Sequence, residues 1–461
     1  MLIYIFSLFV SIALFLNAPQ SMDKTHMLSC ILLVTFDLIC FFYNGVTDRL
    51  NNVHKTYIRH TYIFAACFVI VFFQCDLDYV LGLIDSSNNY LWINPAIVCK
   101  ALALSTMAFS AFLIGCDILK SNSISIGMNK RKRLFDTTLK KELCVVGYLV
   151  LGLYLIFVPR DYLLGGYNDG VDKGSANVLL ILLQAVFVTL FAMYAYDYKE
   201  YHSSEAFFKR LKHPLLLAFI YILVILVTGR RTEAIRIASL ILIVYGYCKG
   251  NRINTKLLIT YSLIAMLIFS VTSVLRSKES SNFREGVSQI ADVNSILPFT
   301  LEYANSVNTL HVAVDNYSDR VDFNYGLTFF STFFVLIPGL DRIISNYFPS
   351  YTLRSESVIT YLGLDEGENW GMGTSCVADV YIAFGPTGVI VIFFLLGMFL
   401  KYLETVTFKA NANPYLLVLS FGCCSQLMYV CRGAIGNMFL SWSYATILLY
   451  LLIRKKNATA L

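Results

Sequence analysis

Pro386-Thr387-Gly388-Val389-Ile390-Val391-Ile392-Phe393-Phe394-Leu395-Leu396-Gly397-Met398-Phe399-Leu400 runs for fifteen residues without an ionisable side chain. Laid out as a helix it has no polar face, so it cannot be the amphipathic surface helix of a soluble protein. The same texture recurs along the whole chain. Hydrophobic residues make up 57% of the 461 positions and charged ones 14%, against about 25% charged in an ordinary soluble domain. Apolar surface left in water costs roughly 25 cal/mol per Å², so lipid has to cover these runs. A backbone in lipid must satisfy its own hydrogen bonds, and each long run therefore reads as a spanning helix.

Working outward, the spacing predicts spans near 2–17, 27–45, 61–83, 95–116, 143–158, 177–197, 214–229, 234–249, 256–275, 386–404, 414–431 and 434–453. The fold class is an all-α polytopic membrane protein of about twelve transmembrane helices. Leu2 to Leu16 lacks a basic leader and a small-residue cleavage site, so it reads as the first span and not as a signal peptide. Twelve cysteines lie mostly inside apolar runs, where they act as small hydrophobes, and the chain reads as free of disulfides, of a metal site and of cofactors. The net charge of +6 comes from the loops and gives no sign of a nucleic-acid partner.

Lys and Arg set the orientation. With both termini in the cytoplasm, the inner loops 46–60, 117–142, 198–213, 249–256, 401–413 and the tail 454–461 hold 22 basic residues. The short outer loops 18–26, 84–94 and 159–176 hold only Lys24, Arg160 and Lys173. That is the positive-inside pattern, anchored by Lys130-Arg131-Lys132-Arg133. The chain thus divides into helices one to nine (1–275), a large outer loop (276–385), and the last three helices with the tail (386–461). The loop is net acidic, with 13 Asp or Glu against 6 Lys or Arg, and a loop of that length is usually functional. Its apolar stretch Gly326 to Gly339 is too short for a span and is left to lie at the interface, re-enter the membrane or pack on the helices.

Four arginines break the rule. Arg230, Arg231 and Arg236 fall at the outer junction of the seventh and eighth spans, and Arg432 at the outer end of the eleventh. An arginine near mid-membrane costs about 2.5–3.5 kcal/mol, less near the interface, and persists where it has an anionic partner. That partner is either protein or lipid, through pairing with Glu233 or snorkelling to lipid phosphates, or it is a bound phosphate clamped by guanidinium forks. Asp37 in the second span and Lys100 in the fourth read as paired inside the bundle. In the loop, Glu302 lies in a helix-compatible pattern that puts it on one face with Asn305 and Thr309. His311, the loop's only histidine, reads as an ordinary surface histidine unless it serves as a base, and Arg354 with Glu356 reads as a local ion pair. Next come Trp370-Gly371-Met372-Gly373-Thr374-Ser375 and Val377-Ala378-Asp379-Val380-Tyr381, whose glycines permit a sharp turn or close approach to a ligand. Asp379 is expected just outside the membrane, where the tenth span begins.

Three of these stretches together resemble the O-antigen polymerase family, the oligosaccharide repeat-unit polymerases or Wzy. They are Thr228-Gly229-Arg230-Arg231-Thr232-Glu233; Glu302 followed by Tyr325-Gly326-Leu327-Thr328-Phe329 and Ile337-Pro338-Gly339; and Gly371 to Tyr381 followed by Phe384-Gly385-Pro386-Thr387-Gly388. Asp379 stands where the family acid is usually Glu, one methylene shorter. The resemblance implies a glycosyltransferase-C-like helical bundle in the bacterial inner membrane. It would join undecaprenyl-pyrophosphate-linked oligosaccharide repeat units at the periplasmic face, passing the growing glycan to the non-reducing end of a new unit with release of undecaprenyl pyrophosphate. A chain-length regulator and a flippase would be its partners besides the bilayer.

The residues themselves set the same chemical demands. Displacing a pyrophosphate at an anomeric carbon needs positive charge at the leaving group and an oriented, deprotonable hydroxyl. Arg230 and Arg231 are first choices for the charge, then Arg236, Arg354 and Arg432. Gly371, Gly373, Ser375 and Tyr381 are candidates for the glycan, and Glu302, Asp379 and His311 for the base. Two other readings stay open. One is O-antigen ligase, which His311 would suit. The other is a lipid-linked oligosaccharide transporter or flippase, which predicts charges along several spans and repeated halves.

Overall fold

The computed structural model describes residues 1–50, 59–86, 92, 94–119, 135–158, 174–197, 204–227, 231–249, 294–317, 320–334, 336–337, 340–345, 347, 353–364, 371–407 and 413–459. Among them the chain is helical, with no strand and one isolated bridge, Tyr317 to Val321. The long helices are α1 Leu2–Leu16, α2 Lys24–Leu50, α3 His60–Val80, α4 Val98–Ile118, α5 Thr137–Phe157, α6 Gly174–Tyr196, α7 Lys212–Val227 and α8 Arg231–Lys249. Three short ones follow, α9 Asn308–Asn316, α10 Leu327–Phe334 and α11 Ser355–Gly363. The last three long ones are α12 Cys376–Thr407, α13 Pro414–Val430 and α14 Leu440–Thr459. Six helices are long and apolar enough to cross a membrane, and α1, α7 and α13 are shorter apolar helices. A helix occupies eleven of the twelve expected spans; the one at 256–275 lies outside the described residues, as do the Lys130–Arg133 cluster, Pro338, Gly339 and Trp370. The protein is an all-helical, multi-pass membrane protein.

One helix organises the N-terminal half. Every residue of α4 from Val98 to Cys116 is buried except Lys100, and α1, α2, α3 and α12 surround it. Helices packed in lipid gain little from hydrophobicity and rely on close backbone approach at small residues. Two glycines provide it here. A Cβ on Gly115 would fall 2.0 Å from the Phe394 carbonyl oxygen, and one on Gly397 would fall 2.1 Å from that of Phe112. A stack of Phe64, Phe68, Phe109, Phe112 and Phe393 fills the seam beside them. Elsewhere α1, α2 and α5 turn large apolar residues such as Phe6, Phe9, Leu32, Leu149 and Ile156 outward, as lipid contact requires. All twelve cysteines are unpaired, eleven of them buried and Cys40 partly so.

Asp37 and Lys100 are partnered inside the bundle, as the sequence reading expects, whereas buried Asp76 on α3 keeps a carboxylate oxygen without a partner among the described residues. Asp37 accepts from Ser7 Oγ at 2.7 Å and Ser110 Oγ at 3.1 Å, while the Lys100 ammonium sits 5.8 Å from the Phe15 ring centre. At one end of the bundle Glu404, fully buried, accepts from Thr61 at 2.8 Å and Lys401 at 3.1 Å, with Arg59 at 4.0 Å. This knot joins the start of α3 to the end of α12.

The described part of the long loop caps the opposite end. Residues 298–307 lie on the end of α3, α9 on α4 and α12, and α10 on α12 and the turn 435–439. The apolar stretch beginning at Gly326 therefore packs on the helices: Phe329 meets Phe384 with ring centres 5.6 Å apart, and Phe333 meets Phe439 at the same distance. The helical pattern around Glu302 is interrupted, since a 3-10 turn at Asn305–Val307 separates Leu301–Ala304 from α9.

The Phe384-Gly385-Pro386 stretch explains how loop and bundle lock together. Gly385 takes φ 69° and ψ −168°, breaking α12 into two helical segments, a conformation essentially reserved for glycine. Pro386 has no N–H to offer the Ile382 carbonyl. The loop supplies the missing donors instead: Asn324 N–H to Ile382 O at 3.0 Å and Gly326 N–H to Ala383 O at 2.9 Å.

Candidate functional site

The last turn of α13 is the hub where the charged residues of the capped end meet. The guanidinium of Arg236, on the second turn of α8, lies 4.5 Å from the centre of the Tyr429 ring, a favourable cation–π placement. Its Nη1 donates to Glu233 Oε1 at 2.7 Å. Glu233 in turn accepts from Gln184 Nε2 on α6. Gln184 Oε1 accepts from Ser441 Oγ at 3.0 Å, and Ser441 accepts from Gln426 Nε2 on α13 at 2.6 Å. This buried polar chain crosses four helices and returns to the helix that bears Tyr429. The pairing of Arg236 with Glu233 is the protein-side partner that sequence reading offered. The chain also leaves Arg236 Nε buried without a partner among the described residues.

Arg432 stands one turn beyond Tyr429, half-buried, its guanidinium 5.8 Å from the centre of the Tyr303 ring. It makes no ion pair and no side-chain hydrogen bond among the described residues. Tyr303 is fixed from the other side, its hydroxyl donating to the Met428 carbonyl. Burial pushes the Tyr303 phenol well above its usual range, so it presents a neutral ring to the arginine. Glu302 is its half-buried chain neighbour on the turn that rests on α3.

Across from this pair lies α11. Glu356, in its first turn, is half-buried and accepts from Asn437 Nδ2 at 3.5 Å. Tyr429 lies within electrostatic reach of Glu356, Arg236, Glu233 and Arg432 together. The expected Arg354–Glu356 pair is replaced: Glu356 makes no ion pair among the described residues. Arg354 is the N-cap of α11, and residues two apart at a helix start splay to different sides.

Asp379, a candidate base in the sequence, is enclosed by the protein. It is fully buried, with Oδ1 accepting from Ser355 Oγ at 2.7 Å and Oδ2 from the Ile435 N–H at 3.1 Å. It thus ties the start of α12 to the start of α11 and to the 435–439 turn, and so holds Glu356 and Asn437 in register. Ser375, one turn before it, is buried with an unpartnered hydroxyl among the described residues. Gly373 takes φ 78°, letting the 371–375 segment turn into α12, and Gly371 lies against Thr360. Tyr381 is buried with its ring edge-on to Phe323, centres 5.5 Å apart.

His311 is buried as well, against the expectation of a surface residue. Its ring lies 5.9 Å from that of Trp92, and it lines a cavity of about 220 Å³ with Asn94, Asp315 and Arg320. Arg230 and the side chain of Arg231 lie outside the described residues. The structure thus brings Arg236, Arg432, Glu356 and Asp379 around one turn of α13. Sequence reasoning missed Tyr303, Tyr429 and Asn437: in a chain with 30 tyrosines nothing local marks two of them as supports for arginines.

Chemically, two guanidiniums with aromatic backing can take a phosphate or pyrophosphate, and an uncommitted carboxylate stands across from them. Among the described residues no group of three His, Cys, Asp or Glu is placed to hold a metal ion. No curated protein and no solved structure matches the chain. The family model described as O-antigen polysaccharide polymerase Wzy matches residues 1–459. Helical bundle, capped end and arginine-bearing site therefore belong to a member of the O-antigen polysaccharide polymerase Wzy family.

Proposed function

We propose that this enzyme extends a polysaccharide by joining undecaprenyl-pyrophosphate-linked repeat units at the periplasmic face of the bacterial inner membrane. The growing glycan passes to the non-reducing end of an incoming unit, and undecaprenyl pyrophosphate leaves. The observation that carries this reading is Arg432, a half-buried guanidinium backed by Tyr303 with no carboxylate to neutralise it among the described residues. Such a charge is costly at the edge of a membrane bundle and is repaid by an anion that comes and goes. A departing lipid diphosphate is that anion, and Arg236 against Tyr429, although paired with Glu233, brings further N–H donors. Family membership supplies the reaction class.

Orientation follows from charge. The Arg59–Lys401–Glu404 knot sits at the bundle end away from Arg432, and the loops continuing from that end carry the basic excess of the sequence. That end faces the cytoplasm, so the capped end, the 276–385 loop and the site face the periplasm. Twelve spans with both termini inside complete the topology.

The test is genetic. A strain lacking the gene should make lipopolysaccharide capped with a single repeat unit, and the wild-type gene should restore a ladder of long chains. Absence of any cap in the deletion strain would point to a ligase instead. Lipid-linked units failing to reach the periplasm would point to a transporter.

A further inference from the structure

We propose that Glu356 is the general base that takes the proton from the acceptor hydroxyl, an assignment that rests on the polymerase reading above. The carboxylates of the capped end sort themselves by what they already hold. Asp379 has both oxygens occupied, by Ser355 and the Ile435 N–H. Asp78 accepts from Ser295 Oγ at 2.5 Å and the Ile296 N–H at 3.0 Å. Asp315 holds Asn94 at 2.7 Å and faces Arg320 at 3.7 Å. Glu233 is taken by Arg236 and Gln184. A carboxylate whose oxygens are so engaged ties elements together and is not free to turn toward an acceptor hydroxyl. Glu356 differs from these four in how little it holds: no cation among the described residues, and one hydrogen bond, from Asn437, at the long distance of 3.5 Å.

Its position suits the work. The Glu356 backbone is rigid, because Ser355 before it is bonded to buried Asp379, and Thr360 one turn later donates to the Glu356 carbonyl at 2.8 Å. Its charge reaches Tyr429, the ring that also feels Arg236 and Arg432. Base and leaving-group cations therefore share one aromatic neighbour, Tyr429. The acceptor oxygen forms a bond to the donor's anomeric carbon, and its proton passes to the Glu356 carboxylate. The anomeric carbon–oxygen bond breaks, and its electron pair leaves on undecaprenyl pyrophosphate against the guanidiniums of Arg432 and Arg236. The protonated Glu356 then returns its proton to water.

The experiment uses the full chain in lipid nanodiscs with lipid-linked repeat units isolated from a polymerase-deficient strain. Wild-type protein should make polymer; no polymer would overturn the polymerase reading, and the base assignment with it. E356Q and E356A should fall at least about 100-fold, and E356D should fall less. Formate should restore part of the E356A rate by serving as the missing base, and leave wild type unchanged. The charged and titratable groups around Glu356 are Asp379 on α12 and Tyr429 on α13; Arg432 just past α13 and Glu233 and Arg236 on α8 act on the same Tyr429, and Arg354 caps the start of α11. The loss of rate at acid pH should therefore vanish from the residual activity of E356Q and persist in D379N. Asn437→Ala, which leaves the carboxylate in place, should lower kcat about tenfold with KM unchanged. E356Q within threefold of wild type would overturn the proposal. So would loss of the acid limb in E302Q with its retention in E356Q, or E356A that formate cannot restore.

Discussion

Arg432 and Asp379 look alike in sequence, as charged residues at span ends, yet their surroundings give them opposite parts. Arg432 is backed by a ring and has no carboxylate partner among the described residues, so its donors are available. Each charge-assisted bond it makes to a phosphate oxygen is worth about 1.5–3 kcal/mol. R432A should therefore lower polymerisation by about 10- to 100-fold at equal protein level, and R432K should recover part of the rate, since a point charge replaces a fork. A normal polymer ladder from R432A would remove the leaving-group role. Asp379 has both oxygens spent on Ser355 and Ile435. D379A should strand two buried donors at about 1–3 kcal/mol each, seen as a lower Tm in detergent. An unchanged Tm with polymer lost would show instead that Asp379 acts on the substrate. Sequence alone could single out both residues but not divide their work. The division depends on Tyr303, Ser355 and Ile435, which lie 129, 24 and 56 positions away along the chain.

The elements were legible wherever one local rule governed them. Apolar runs such as 98–118 and 386–400 declare themselves, because a span must bury its backbone hydrogen bonds and turn apolar atoms to lipid or to neighbours. Gly385 and Pro386 announce a break by composition alone. What fills the break was not legible, since Asn324 and Gly326 reach it from 58 and 57 positions earlier in the chain than the carbonyls they serve. The His311 helix misled for a related reason: a lone histidine in a long acidic loop reads as exposed, and Trp92 from a different segment packs against it. G385A tests the break. An alanine at φ 69° costs about 1–3 kcal/mol, and its Cβ would meet the Phe323 ring at 3.2 Å. The variant should unfold at lower temperature and release the 323–326 segment, visible as faster hydrogen exchange at the Asn324 and Gly326 amides. Unchanged exchange there would show that the kink does not depend on that glycine.

At the scale of the molecule, a knot at one end and an arginine site under a folded cap at the other make a bundle with two distinct faces. Side should therefore be readable residue by residue. A cysteine at Tyr325, 89% exposed on the cap, should react with a membrane-impermeant maleimide in intact spheroplasts. One at Arg454, exposed near the end of α14, should react only after permeabilisation. The reverse pattern would turn the protein over and put the arginines on the wrong side for a lipid diphosphate leaving in the outer leaflet. The twelve native thiols bear on how such mapping is done. Eleven are sealed among packed side chains, so a bulky aqueous reagent should find the unmodified chain nearly silent. The protein thus carries its own blank background, and single reporter sites can be introduced without first stripping out the sulfur that fills its core.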